Sequence, residues 1–381
     1  MKITSVKPYL IFSGWRRNWL FIKIETDEGI TGWGEGYTFL DRDYSVMHYV
    51  EELSNCIIGR DPFNIKSFTY FAYVDFAKKR GSLDFYAAVS GIEMALWDIA
   101  GKALKAPIHR LMGGVCRDKL RLYLNGWGAE DVDDLGELSE KAQQAVAQGF
   151  TALKLDPLPP NWSMFLSREE EQYTIDRIRT VREAVGPNVD LLMDAHRRMS
   201  AYDTVNLARR LQEFDLYWYE EPVSSKNIEL LAKVKSEIKQ RVVTGEELYT
   251  KAEFRRVFEL GAADVINPDP CNCGGLLELR EIAAMAEAYY ISVTPHNCYN
   301  MSWLAMAASG HVCAAMPNFL IAEYFNRLDG VCRDLFKDAL VIKDGDLYLP
   351  DRPGVGMEIN EEFLLKSSYK HDQRRAIHEF F

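Results

Sequence analysis

The chain has 381 residues, 48% of them apolar, and a net charge of −11. That length exceeds the usual single-domain size and is expected to divide into two domains with separate cores. The acidic balance, unbroken by any Lys/Arg-rich run, argues against nucleic acid or an anionic membrane surface as partner and for a small-molecule enzyme.

Residues 1–30 lack the apolar core of a signal peptide and no apolar run is long enough to span a bilayer, so a cytoplasmic protein is expected. Seven cysteines, none in a CxxC pair, read as reduced, mostly buried thiols. From Met1 to about Gly36 the pattern is strand-like, with Leu20–Ile24 alternating before a turn at Asp27–Glu28–Gly29. Apolar residues at Ala87, Ile92, Ala95, Leu96, Ile99 and Ala100 then predict a helix ending at Gly101. Gly113–Gly114 close an α+β domain over residues 1–115.

Residues 116–330 alternate short apolar runs with amphipathic helices. The predicted strands are Leu122–Asn125, Ala152–Asp156, Asp190–Asp194, Tyr217–Glu220, Val242–Gly245, Val265–Pro268, Ile291–Thr294 and Leu320–Glu323. Eight such strands imply an α/β fold of the (β/α) barrel type. An open doubly wound sheet is the rival, without a GxGxxG after the first strand to favour dinucleotide binding. Pro157–Ser167 reads as a loop able to overhang a site. Residues 331–381 show no further βα unit and are expected to pack back on the first domain.

Three strands end on acids: Asp194, Glu220 and Glu246, equally spaced along the chain. One βα repeat leads to the neighbouring strand, so equal spacing sets the three carboxylates side by side at the C-terminal rim. There they repel one another, and a hard divalent cation with oxygen ligands, Mg²⁺ above all, relieves the repulsion. The next two strands add Asp269 and His296, again one repeat apart. A carboxylate that accepts from one imidazole nitrogen leaves the other free to take a proton, which makes the pair a general base. His196, two residues past Asp194, points the same way on an extended strand end and is a second acid/base candidate.

Together these motifs resemble the mandelate racemase subgroup of the enolase superfamily over essentially the whole chain. Thr31-Gly32-Trp33-Gly34-Glu35 and Ala95-Leu96-Trp97-Asp98-Ile99-Ala100-Gly101-Lys102 are similar to stretches of its capping domain. The resemblance implies a (β/α)7β modified TIM barrel with an N-terminal α+β capping domain completed by the C-terminal segment. It implies Mg²⁺ on Asp194, Glu220 and Glu246, a dyad of Asp269 and His296, and Glu323 as an acid that contacts the substrate carboxylate. The family's second-strand KxK motif stands here as Lys154-Leu155-Asp156, without the second lysine. Asp-x-His on the third strand instead resembles galactonate- and mannonate-type sugar-acid dehydratases. By that similarity His296 abstracts the proton next to the carboxylate of an aldonic acid, by an enediolate, and His196 protonates the departing 3-hydroxyl; the two roles are exchangeable. Lys154 would contact the substrate carboxylate or tune the site's charge, and Asp156 would bind a sugar hydroxyl or hold Lys154. Substrate selection in that family comes from capping-domain loops, here Gly14–Trp19 and the region near His48, and Arg16, Trp19, Asn297 and Trp303 are candidate readers of hydroxyl stereochemistry in an aldonate or aldarate. A homo-oligomer is expected.

A sugar-acid lactone cycloisomerase or an epimerase starts from the same enediolate and stays open at this point. From another class, a metal-binding regulatory pseudoenzyme would keep the fold without turnover.

Overall fold

The first 36 residues form an antiparallel sheet of β1 (Ile3–Phe12), β2 (Asn18–Thr26) and β3 (Thr31–Gly36). The structure, a computed structural model, describes residues 1–39, 42–76, 81–160, 164–367 and 369. Alternation along β2 sends Trp19 and Phe21 to one face and Leu20, Ile22 and Ile24 to the other. The first pair joins the core of the barrel and the second set the core of the cap, so this strand is buried on both faces.

Helices α1 (Asp43–Ile57), α2 (Ile65–Phe71) and α3 (Leu83–Ala103) complete the cap. In α1, Val46, Val50, Leu53 and Ile57 are buried, while His48 faces solvent beside Glu51 at 2.9 Å. The region near His48 is therefore a helix packed by its apolar stripe, not a loop over the site. Helix α3 lies so close to β3 that a Cβ on Gly34 would stand 2.0 Å from the Gly91 carbonyl oxygen. It also runs past Gly101, its predicted end. A Cβ there would meet the Gly354 backbone at 2.5 Å, so Gly101 marks a close approach rather than a stop. A short helix, α4 (Ile108–Leu111), leads to the barrel.

The barrel strands are β4 (Leu120–Asn125), β5 (Ala152–Leu155), β6 (Asp190–Asp194), β7 (Trp218–Glu220), β8 (Val242–Thr244), β9 (Val265–Ile266), β10 (Ser292–Val293) and β11 (Ala322–Phe325). They pair in parallel in chain order and β11 returns to pair with β4. A bridge between Val293 and Phe319 closes the ring at β10. Between them run α5 (Leu135–Ala147), α6 (Arg168–Val185), α7 (Ala201–Arg210), α8 (Ile228–Glu237), α9 (Thr250–Leu260), α10 (Leu276–Ala288) and α11 (Trp303–Ala315). This is the (β/α)7β barrel with an N-terminal cap that the sequence implies.

After β11 come α12 (Asp329–Leu335), the hairpin β12 (Val341–Lys343) with β13 (Asp346–Tyr348), and α13 (Glu361–Lys366). Strand β13 pairs antiparallel with Leu120 and Arg121 of β4, so this part of the tail extends the barrel rather than the cap. The tail meets the cap on either side of this hairpin: before it the Phe336 ring lies 6.4 Å from that of Phe21, and beyond it Asp98 accepts from the Val355 N–H and Lys23 and Lys102 pair with Glu361 and Glu358. Residues 370–381 of the predicted tail, and 161–163 of the predicted Pro157–Ser167 loop, lie outside the described residues.

Buried carboxyls fix cap to barrel at helix ends, where backbone N–H groups lack intrahelical partners. Glu93 of α3 accepts from Leu276 and Leu277 at the start of α10, and Glu35 of β3 accepts from Ser302 and Ala305 at the start of α11. All seven cysteines are free and five are buried. Among the described residues no helix is long and apolar enough to cross a membrane.

Candidate active site

The C-terminal ends of β6, β7 and β8 carry Asp194, Glu220 and Glu246, and one oxygen of each lies within 4.8 Å of the others. Parallel register sets Asp194 opposite Glu220 directly. Burial pushes the Glu220 carboxyl up to about 8, and although Lys154 opposes this, repulsion from Asp194, Glu323 and Glu246 adds to it. Lys154, at the end of β5, stands 3.5 Å from Asp194, 3.4 Å from Glu220 and 2.8 Å from Glu323. Arg197 pairs with Glu246, but the single ammonium of Lys154 is shared by Asp194, Glu220 and Glu323 and does not balance all three. The donor set, three hard oxygens with Glu220 steered by Asn267 Nδ2 at 2.8 Å, fits a divalent cation.

Two histidines flank this centre. In an eight-stranded ring β6 and β10 lie half a turn apart, so His196 and His296 approach from opposite sides of the mouth. His296 donates or shares its Nδ1 proton with Asp269 Oδ2 at 2.7 Å and turns Nε2 toward Glu246 Oε2 at 3.6 Å. Asp269 is fully buried and its other oxygen accepts from the Cys271 N–H at 2.7 Å. His196 Nδ1 meets Asp156 Oδ2 at 3.1 Å and lies 3.5 Å from Asp194. Arg198 pairs with the same Asp156 oxygen. His196 and Arg197 have φ of 48° and 54°, and Glu221, beside Glu220, has 44°. Left-handed backbone at non-glycine residues costs energy and concentrates at functional sites. Here it turns the chain back over the rim immediately after two of the three acids.

The residues matched by known families span both domains. Residues 12–113 match the family model "Mandelate racemase / muconate lactonizing enzyme, N-terminal domain" and 137–363 match "Enolase C-terminal domain-like". The chain belongs to the mandelate racemase / muconate lactonizing enzyme family. A D-gluconate dehydratase of Thermoproteus tenax is 32% identical over 373 residues, covering 96% of this chain and 73% of the relative. A D-galactonate dehydratase of Pectobacterium atrosepticum is 32% identical over 377 residues, covering 97% and 94%. The structure of an enolase superfamily member from Salmonella Typhimurium superposes with a TM-score of 0.91 at 31% identity, covering 96% and 98%.

On this mandelate racemase-type frame several predicted residues find other surroundings than expected. Glu323 is held by Lys154 at 2.8 Å. Burial would raise its pKa, but Lys154 and then His296 outweigh it and hold it at about 2, ionised, while Asn125 Nδ2 and the Asn297 N–H donate to its oxygens at 2.7 and 2.9 Å. Asp156 does not hold Lys154; its partners are His196 and Arg198. Trp19 is buried at 0% exposure and donates Nε1–H to the Tyr299 carbonyl, because strand alternation faces it into the core and away from the mouth. Arg16 points outward to Glu130 at 3.6 Å and Asp131 at 3.4 Å. Trp303 opens α11, buried and donating to Asp329.

The sequence reading passed over Arg197, whose Nη1 holds Glu246 Oε1 at 2.7 Å and leaves the second oxygen free to face the centre. It also passed over Asn125 and Asn267, which sit at or just after the ends of β4 and β9. The same rim rule that singled out the acids would have found both amides. Tyr37, just past β3, lies with its ring 6.4 Å from that of His296; nothing in its sequence surroundings signals that position.

Proposed function

We propose that the protein is a Mg²⁺-dependent sugar-acid dehydratase, a carbon–oxygen hydro-lyase acting on an aldonate or aldarate. The observation that carries this reading is a pair of carboxylate-held imidazoles on opposite sides of one three-carboxylate centre. The dehydratase names of the relatives support it. When bound, Mg²⁺ supplies a Lewis acid that stabilises the charge gained by the substrate carboxylate as its α-carbon loses a proton.

Lys154, kept charged because Glu220 and Glu323 outweigh its burial, orients that carboxylate. With Asp269 on Nδ1, His296 presents Nε2 to the α-proton. Burial disfavours charge on the His296 ring, but Cys298, Glu246 and Asp269 outweigh it and hold the ring protonated. Glu246 is 3.6 Å from Nε2, so neutralising that carboxylate frees His296 as the base. His196 has burial against it too, yet Asp194 and Asp156 raise it to about 9, which keeps it protonated as the acid. Its Nε2, opposite the Nδ1 bound by Asp156, hands a proton to the 3-hydroxyl. The electron pair from the broken C–H bond forms the enediolate and then expels the C3 oxygen as water; the enol left behind becomes a 2-keto-3-deoxy acid.

Incubation with Mg²⁺ and a stereochemically complete library of aldonic and aldaric acids, read by semicarbazide trapping of 2-keto-3-deoxy products, tests the proposal. A product that disappears with chelator is expected. No product across the library contradicts dehydration and directs attention to cycloisomerisation.

A further inference from the structure

Charged side chains around the mouth are nearly all matched. Arg16 pairs with Glu130 and Asp131, Arg197 with Glu246, Arg198 with Asp156, and Lys154 with Glu323. Arg17 is the exception. Residues Ser13–Arg17 form the tight link between β1 and β2, closed by Ser13 N–H to the Arg17 carbonyl at 3.0 Å. Across this link Arg16, with φ of 53°, turns outward and Arg17 turns inward.

The Arg17 guanidinium lies over Phe39 at 4.9 Å and over Tyr299 at 5.5 Å. Its Nη2 reaches the Tyr299 hydroxyl at 3.5 Å, while Nε and Nη1 are buried without a hydrogen-bond partner among the described residues. Phe39 stacks on Tyr37 at 6.5 Å and Tyr37 lies 6.4 Å from His296, so the cation is two ring contacts from the proposed base. A desolvated guanidinium with two unpartnered nitrogens and no carboxylate against it among the described residues is costly unless an anion completes it. Guanidinium geometry favours a carboxylate, which accepts two parallel hydrogen bonds.

We infer that Arg17 binds a second carboxylate at the far end of the substrate, so that, resting on the dehydratase reading above, the preferred substrate is an aldaric rather than an aldonic acid. The near carboxylate goes to Lys154 and the cation centre; the far one displaces the weak Tyr299 contact and takes two parallel hydrogen bonds, from Nη2 and one of the two unpartnered nitrogens. An aldonic acid carries a neutral terminal hydroxyl at that end and leaves the guanidinium unmatched.

The test uses the Mg²⁺-loaded protein and pairs of hexaric and aldohexonic acids of the same configuration. For the wild type, kcat/KM should favour the diacid by about 10-fold or more, the scale of a charge-assisted hydrogen bond. Arg17→Met should lower kcat/KM for the diacid by roughly 10- to 100-fold, mainly through KM, with less than about a 3-fold change for the aldonic partner. Arg17→Lys should restore part of the loss. A wild type that prefers the aldonic acid, or an Arg17→Met loss equal for both members, overturns the inference. If no acid is turned over, the dehydratase reading fails by itself, and calorimetric binding of the same pairs still decides on Arg17: a loss confined to the diacid supports it and equal binding by wild type and variant refutes it. Melting temperatures of both variants identify any loss that comes from unfolding.

Discussion

Histidines in two regions of this molecule are driven in opposite directions. At the barrel mouth His196 and His296 meet carboxylates, and their pKa values rise. Where α4 and α11 meet, His109 Nδ1 faces His311 Nδ1 at 2.9 Å, and both pKa values fall, that of His311 to about 4. Burial opposes charge in all four rings; the partner decides which way each goes. His311 Nε2 lies 3.0 Å from the Val355 carbonyl and must donate there, so its Nδ1 accepts from His109. In these four rings the desolvation is overcome only where carboxylates lie against the imidazole. The mouth has that arrangement, and the junction has a neutral pair that serves packing.

The comparison breaks most visibly at His296. His296→Asn should abolish both dehydration and solvent-deuterium exchange at the α-carbon, a loss of about 10³-fold or more, followed by NMR in D₂O. His196→Asn should lose dehydration to a similar degree yet retain exchange, and loss of exchange in both variants would show that the roles are not divided between the rings. Asp156→Asn removes the carboxylate beside His196 without touching the ring and should lower dehydration by roughly 10- to 100-fold, with the alkaline limb of the pH profile displaced to lower pH.

The junction offers the smallest effect and the opposite sign. The folded state keeps His311 neutral while the unfolded chain binds a proton below its ordinary value of 6.5, so stability falls as pH drops from there toward about 4. Between pH 7 and 5, wild type should lose about 2 kcal/mol more than His311→Gln in urea unfolding. Parallel curves would mean that the pair is not held neutral.

Much of the mouth was legible because the barrel turns regular spacing along the chain into adjacency. Asp194, Glu220 and Glu246, and then Asp269 and His296, follow from one strand after another ending on a charged residue. The partner of Asp156 was not legible, since it depends on left-handed backbone at His196 and Arg197 that brings His196 and Arg198 back over β5. In the cap, Arg16 and Trp19 were singled out while Arg17 between them went unnoticed. Inside a five-residue link, one position decides whether a side chain meets solvent, core or cavity, and no periodicity reports it. The hairpin of β12 and β13 has strands of three residues, too short to show alternation, and so its pairing with β4 was missed.

Every step of the proposed chemistry depends on three strand-end carboxylates, Asp194, Glu220 and Glu246, forming one cation site. Calorimetric titration of Mg²⁺ into wild type and Glu220→Gln tests it without knowledge of any substrate. One binding event in the wild type, weakened about 10-fold or more by the substitution, is the expected result. Unchanged affinity in Glu220→Gln would contradict the site itself.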